Sequence, residues 1–130
     1  MISVNMFVPN SKVAFSFYKK VFNAVALHTM FEAPIGERNA KFKINDSLFA
    51  IADENLNWGS KSPITLGGVP MCIQLFVDDV QKYVNQAVIA GCKIVPPGTD
   101  NDPIFATPDG LICSNLCDPF GFIWSITNKK

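Results

Sequence analysis

The chain has 130 residues, 48% of them hydrophobic and 17% charged, with 11 phenylalanines; burial on this scale offsets the cost of ordering the chain and excludes intrinsic disorder. Acidic and basic side chains balance to zero net charge without a basic run, which excludes the electrostatic footprint of a nucleic-acid or anionic-membrane binder. No stretch reaches the roughly 20 apolar residues that span a bilayer, and Met1 to Pro9 lacks the charged start and apolar run of a signal peptide, so the cytoplasm is the expected location.

Ser3 to Val8 is apolar and β-prone, and Pro9-Asn10-Ser11 supplies a break and then a helix start, because an Asn or Ser side chain accepts from an unpaired first-turn N–H. Ala14, Phe17, Tyr18 and Val21 recur at helical spacing, with Lys12, Lys19 and Lys20 on the wet side, and Phe22-Asn23-Ala24 closes the helix. Val25 to Phe31 reads as a second strand. Ala40, Phe42 and Ile44 alternate with Lys41, Lys43 and Asn45, the period-two pattern of a strand with one wet face. After the turn Asn45-Asp46-Ser47, Leu48 to Ala52 is a nearly continuous apolar strand. Asp53 to Pro70 is rich in Gly, Pro, Asn and Ser and reads as an ordered connector without regular structure.

The pattern then starts again. Met71 to Val77 is a strand, Asp78-Asp79 caps a helix carrying Val80, Tyr83, Val84, Ala87 and Val88 on one stripe, and Gly91 stops it. Cys92 to Val95 is the next strand, and Pro96 to Asp109 is a long polar loop interrupted by Ile104 and Phe105. Leu111 to Leu116 and Phe122 to Thr127 flank the turn Asp118-Pro119-Phe120-Gly121. Val4-Asn5-Met6-Phe7-Val8 lies over Ile73-Gln74-Leu75-Phe76-Val77, and each half ends in a hairpin near Asp46 or Asp118. The reading is an α+β fold of two similar halves, with coincidence of two βα units as the alternative. Residues 113 and 117, four apart on one strand, lie about 13 Å from each other, beyond disulfide reach, so Cys72, Cys92, Cys113 and Cys117 are read as reduced and mostly buried.

Several strings carry a family resemblance: Phe17-Tyr18-Lys19-Lys20-Val21-Phe22, Asp46 through Glu54, Ser62-Pro63-Ile64-Thr65-Leu66-Gly67-Gly68, Val77-Asp78-Asp79-Val80, and Asp118-Pro119-Phe120-Gly121 through Ile126. Together, in this order, they resemble the vicinal oxygen chelate superfamily of glyoxalase, bleomycin-resistance and extradiol dioxygenase proteins, and within it the PhnB-like branch. The resemblance implies two βαβββ modules forming curved mixed sheets around a cavity, and a homodimer. Module one covers about residues 1–56, a connector 57–69, and module two 70–130. In metal-dependent members the resemblance also implies a divalent ion held by His, Gln and Glu, which polarises substrate oxygens. Here the corresponding positions read Ser3, Cys72 and Ser125, and two positions where PhnB-like relatives carry His read Phe122 and Asn39. No metal site and no cofactor are therefore expected.

Among single residues, His28 is the only histidine and reads as a surface or hydrogen-bonded residue before a base. Asp53 and Glu54 are the best-placed carboxylates for a metal or a general base, with a solvated strand end as the plainer reading. Cys72 reads as an inert buried thiol before a nucleophile. The more coherent constellation is a pocket. Alternation sets Ser3, Asn5 and Phe7 on one face and Cys72, Gln74 and Phe76 on the corresponding face, each triplet offering an aromatic wall and an amide, with Ser125 joining from the last strand. Trp58 and Phe105 are candidate lids. Phe7 and Phe76 serve equally as core filling, and Trp58 equally as packing under its loop or at a dimer contact. The expected partner is a small, partly apolar or aromatic molecule. The alternatives are a metal-dependent lyase, isomerase or dioxygenase using Asp53, Glu54 or His28, and a dimeric interaction domain with a filled interior.

Overall fold

The computed structural model describes residues 1–129 and divides into two compact units, Met1–Gly67 and Gly68 onward. The first unit begins with strand β1 (Val4–Val8) and helix α1 (Ser11–Phe22), continues through β2 (Val25–Met30), β3 (Asn39–Ile44) and β4 (Ser47–Asp53), and ends with the short helix α2 (Pro63–Leu66). Its sheet runs β1-β4-β3-β2, with β1 parallel to β4 and the other neighbours antiparallel. Local chemistry sets the boundaries of α1. The Asn10 side chain accepts from the Val13 N–H, and Asn23 takes the left-handed conformation at φ 58°, which asparagine tolerates better than most residues.

One face of this sheet is sealed by α1. Met6 and Val8, Ala40, Phe42 and Ile44, and Phe49 and Ile51 are all buried, as the two-residue period requires of strands backed by a helix. The core is an aromatic pile: Tyr18 stacks between Phe22 and Phe42, each at 6.1 Å, and Phe42 stacks on Phe49 at 5.5 Å. Each such ring contributes about 1.5–3 kcal/mol through its burial alone. The inner stripe of α1 differs from the expected one by a residue: Phe15 is buried 5.4 Å from Phe42, while Phe17 is half-buried at the edge of Tyr18. Positions 14, 15, 18, 21 and 22 form a wider stripe than a count of every third and fourth residue finds.

The second unit contains β5 (Cys72–Val77), helix α3 (Val80–Ile89), β6 (Lys93–Val95), β7 (Phe105–Ala106), β8 (Ile112–Cys117) and β9 (Ile123–Asn128). Its sheet runs β5-β9-β8-β6, the same order of roles as in the first unit, with β7 added beside β8. The repeat is therefore one of topology and hydrogen-bond pattern. Asp79 caps α3 by accepting from the Lys82 N–H, and Gly91, at φ 114°, turns the chain out of it. Leu75, Val77, Leu116, Trp124 and Ile126 are buried.

Two expectations are corrected. The connector is structured: Leu56–Trp58 forms a 3-10 turn capped by Asn55, and Ser62 caps α2. It is also tied to the first unit, because Glu54 accepts from the Ser62 N–H at 3.1 Å and from the Thr65 hydroxyl at 2.7 Å. Phe105 is paired in β7 with Cys113 of β8, so it stands in a strand and not on a loose lid.

Candidate functional site

The face of the first sheet turned away from α1 carries a trough whose cause is side-chain size. In register across β1, β4 and β3, Asn5, Ala50 and Lys41 form one row, and Phe7, Ala52 and Asn39 form the next. Cross-strand neighbours in such rows stand about 4.5–5.5 Å apart at Cβ, so a central pair of alanines flanked by longer side chains leaves a depression along β4. The result is a cavity of 290 Å³ that takes in both rows and is lined further by Glu37, Arg38, Trp58 and Ser60. A second cavity of 300 Å³ continues past Asn5, Lys41 and Ala50 toward Ser3 and Leu48. Trp58, one of the lining residues, is 64% exposed.

One carboxylate organises the rim. Asp53, 3% exposed, accepts from the Ser11 N–H at 2.7 Å, the Gly36 N–H at 2.9 Å and Arg38 Nε at 2.7 Å. Burial alone pushes its pKa up, but the Ser11, Arg38 and Gly36 donors together outweigh that and hold it below the usual carboxylate value. Gly36 in turn accepts at its carbonyl from Asn55 Nδ2 at 3.0 Å, and Asn55 caps the turn that carries Trp58. Asp53 thus links the start of α1, the segment before β3 and, through Asn55, the tryptophan. Glu54 is likewise engaged: its bonds from Thr65 and Ser62 outweigh a smaller opposing effect of burial and lower its pKa. Neither carboxylate is the available base or ligand that the sequence reading allowed for.

The structure brings Asn5, Phe7 and Trp58 to one cavity. Lys41 and Arg38 line it too and were missed. Alternation alone set Lys41 on the right face, but a lysine on a half-wet strand reads as solvated until its neighbours are known. His28 pairs in register with Lys41 from β2, a strand exposed along its whole length.

In the second unit, Cys72, Gln74 and Phe76 share the face opposite half-buried Ile73 and buried Leu75 and Val77, and Gln74 lies in register with Ser125. Gln74 donates to Thr127 Oγ1 at 3.1 Å, and the Ser125 hydroxyl and Cys113 thiol each stand 3.4 Å from that same oxygen. Thr127 is therefore the centre of a polar cluster that the sequence reading did not single out, and Ser125 is itself buried. Cys72 is exposed, contrary to the buried thiol expected. All four cysteines are free; burial, with the Asp118 carboxylate and Cys117 beside it, pushes the Cys92 thiol up to about 12.

A family model for the glyoxalase/bleomycin resistance protein/dioxygenase superfamily matches residues 1–126. The chain belongs to that superfamily. An uncharacterised protein of Mycobacterium bovis is 32% identical over 129 residues, covering 96% of this chain and 80% of its own length. The crystal structure of a superfamily enzyme from Burkholderia phytofirmans shares the fold at a TM-score of 0.70 and 19% identity, covering 97% of this chain and 95% of that one. A variant of the fosfomycin resistance protein FosX from Listeria monocytogenes, complexed with manganese(II) and a dihydroxypropylphosphonic acid, matches at a TM-score of 0.69 and 13% identity, covering 97% of this chain and 86% of that one.

Metal ions occur in this superfamily, so the donors here bear testing for one. At the positions where the resemblance implies ligands stand hydroxyls and a thiol, not imidazole and carboxylate: Ser3 donates to Asn5 Oδ1, Ser125 sits against Thr127, and Cys72 is exposed. Among the described residues no three His, Cys, Asp or Glu side chains converge, and Asp53 and Glu54 already accept from backbone and side-chain donors. This donor set does not fit the oxygen and imidazole shell of a divalent ion.

Proposed function

We propose that this superfamily member binds a small, partly aromatic molecule without a catalytic metal ion, in the trough of its first sheet, and that it stands nearest the PhnB-like branch. One observation carries the reading: an open cavity floored by Ala50 and Ala52 has an aromatic side chain, Phe7, on one flank, and an exposed tryptophan, Trp58, in its lining. Apolar floor and rings supply affinity, while a few polar groups fix orientation, which is the usual composition of a ligand pocket.

Trp58 makes the proposal measurable. Trp124 is fully buried with its indole N–H bonded to Asp118, so it provides a constant background and Trp58 the responsive signal. Titration with naphthalene derivatives is expected to quench Trp58, and Trp58→Ala to weaken calorimetric binding about tenfold, or about 1.4 kcal/mol. Elemental analysis of the same preparation is expected to find no stoichiometric metal. Silence in both fluorescence and calorimetry would remove the pocket; stoichiometric zinc, nickel or iron would remove the metal-free reading.

The proposal extends to a homodimer. Strand β2 is an exposed edge carrying Val25, Leu27 and Met30, the kind of strand that invites pairing with another chain. Light scattering at tens of micromolar is expected to give twice the chain mass, and a monomer there would reject the dimer while leaving the pocket intact.

A further inference from the structure

Two side chains of the trough, Lys41 and Asn5, carry donors that no other described side chain engages. Lys41 makes no ion pair among the described residues; the two pairs present use Arg38 with Asp53 and Lys129 with Asp78. Asn5 receives a long contact from the Ser3 hydroxyl on Oδ1, while its Nδ2 has no partner among the described residues. These two donors flank Ala50 in one cross-strand row, and both adjoining cavities include them. Both side chains are exposed, so water meets these donors in the free protein; an ammonium offers three donors and no acceptor and an amide Nδ2 two more, which suits the row to an acceptor-rich ligand that replaces that water.

The charges around the row reinforce this. Lys43 stands two residues along β3 from Lys41, on the same face. The nearest buried carboxylate, Asp53, is neutralised by Arg38 and two N–H groups, which leaves the exposed Glu37 as the acidic group at the rim. Lys41 and Lys43 set two cations along one strand beside the apolar floor, which favours an anion at that end, while Glu37 opposes one nearer itself.

We infer that the ligand is an aromatic acid: its anionic oxygens lie between Lys41 and Asn5, and its ring lies over Ala50 and Ala52 between Phe7 and Trp58. This rests on the binding role proposed above and adds the charge of the ligand to it. At 290 Å³ the cavity is at the small limit of ligand pockets, which fits a one- or two-ring acid. Whether the acid is a carboxylate or a phosphonate is a matter of the same donor pair.

The test compares three probes of one shape on the full chain by calorimetry and Trp58 fluorescence at low salt: 2-naphthoate, the neutral 2-naphthamide, and 2-naphthylphosphonate. Both acids are expected to bind at least tenfold more tightly than the amide, and the tighter of the two identifies the acid class. Lys41→Met is expected to erase the ratio between acid and amide affinities, and Lys41→Arg to retain it. Added salt should weaken the acids and spare the amide. Equal binding of acid and amide, or a preference that survives Lys41→Met, overturns the anion assignment alone. Failure of all three probes to bind folded protein takes down the pocket as well.

Discussion

Asp53→Ala is expected to lower the unfolding free energy by about 3 kcal/mol, the low end of what breaking a buried ion pair costs. The substitution strands Arg38, whose side chain is 14% exposed, and removes the acceptor for two backbone N–H groups, at Ser11 and Gly36. Arg38 lines the trough and can turn its guanidinium toward water, which is why the upper end of the range is not expected. In a melt this is a fall of about 10 °C for a chain of this length. The pH dependence carries a second signature. The folded-state pKa of Asp53 lies below its unfolded value, so between the two the unfolded chain holds more protons, and stability falls as the pH is lowered through that window. The contribution is complete above about pH 4 and absent once the folded carboxyl protonates. Urea titrations from pH 6 to pH 2 should therefore show a steeper acid loss in the parent than in Asp53→Ala. Glu54, also lowered, contributes to the slope that remains. Parallel acid profiles in the two proteins would reject the role given to Asp53.

The same residue shows where sequence reading stops. The helix starts were legible because their causes are local: Asn10 and Asp79 each cap a helix three residues from the N–H they bind. The strands were legible because Ala40, Phe42 and Ile44 alternate with lysines, and the repeat followed from matching β1 against β5. Asp53 gave no such sign. Its partners lie 42, 17 and 15 residues away, and a carboxylate at a strand end reads as solvated until the fold brings those donors together.

The trough was half visible for a related reason. Leu48 to Ala52 is apolar on both faces, and spacing alone does not say that Phe49 and Ile51 belong to the core while Ala50 and Ala52 form a floor. Nor does it say that Lys41 stands across Ala50 from Asn5, since that requires the register of three strands. In the second unit, β7 has two residues, too few for any periodicity, so Phe105 read as loop. Its pairing with Cys113 is set by tertiary contact.

Asp118→Ala is expected to cost about 3–4 kcal/mol, through a different mechanism. One oxygen of Asp118 accepts from the Phe120 and Phe122 N–H groups at 2.9 and 3.0 Å, holding the hairpin turn, and the other accepts from Trp124 Nε1 at 2.9 Å. Water can replace the acceptor for the two turn amides, because Phe120 and Phe122 are not buried. It cannot readily do so for Trp124, which is fully enclosed, and an unmet buried donor costs about 1–3 kcal/mol beyond the lost charge-assisted bond. Trp124→Phe removes the donor together with part of the ring, so it carries a packing cost without stranding an N–H. If the indole bond carries the effect, the double substitution costs less than the two single ones added together, by about 1–2 kcal/mol in urea unfolding. Strict additivity would instead locate the whole loss in the turn. Emission in Trp58→Phe protein distinguishes the cases again. With Trp124 as the remaining fluorophore, Asp118→Ala should shift its spectrum if the indole loses its partner, and leave it unchanged if only the hairpin loosens.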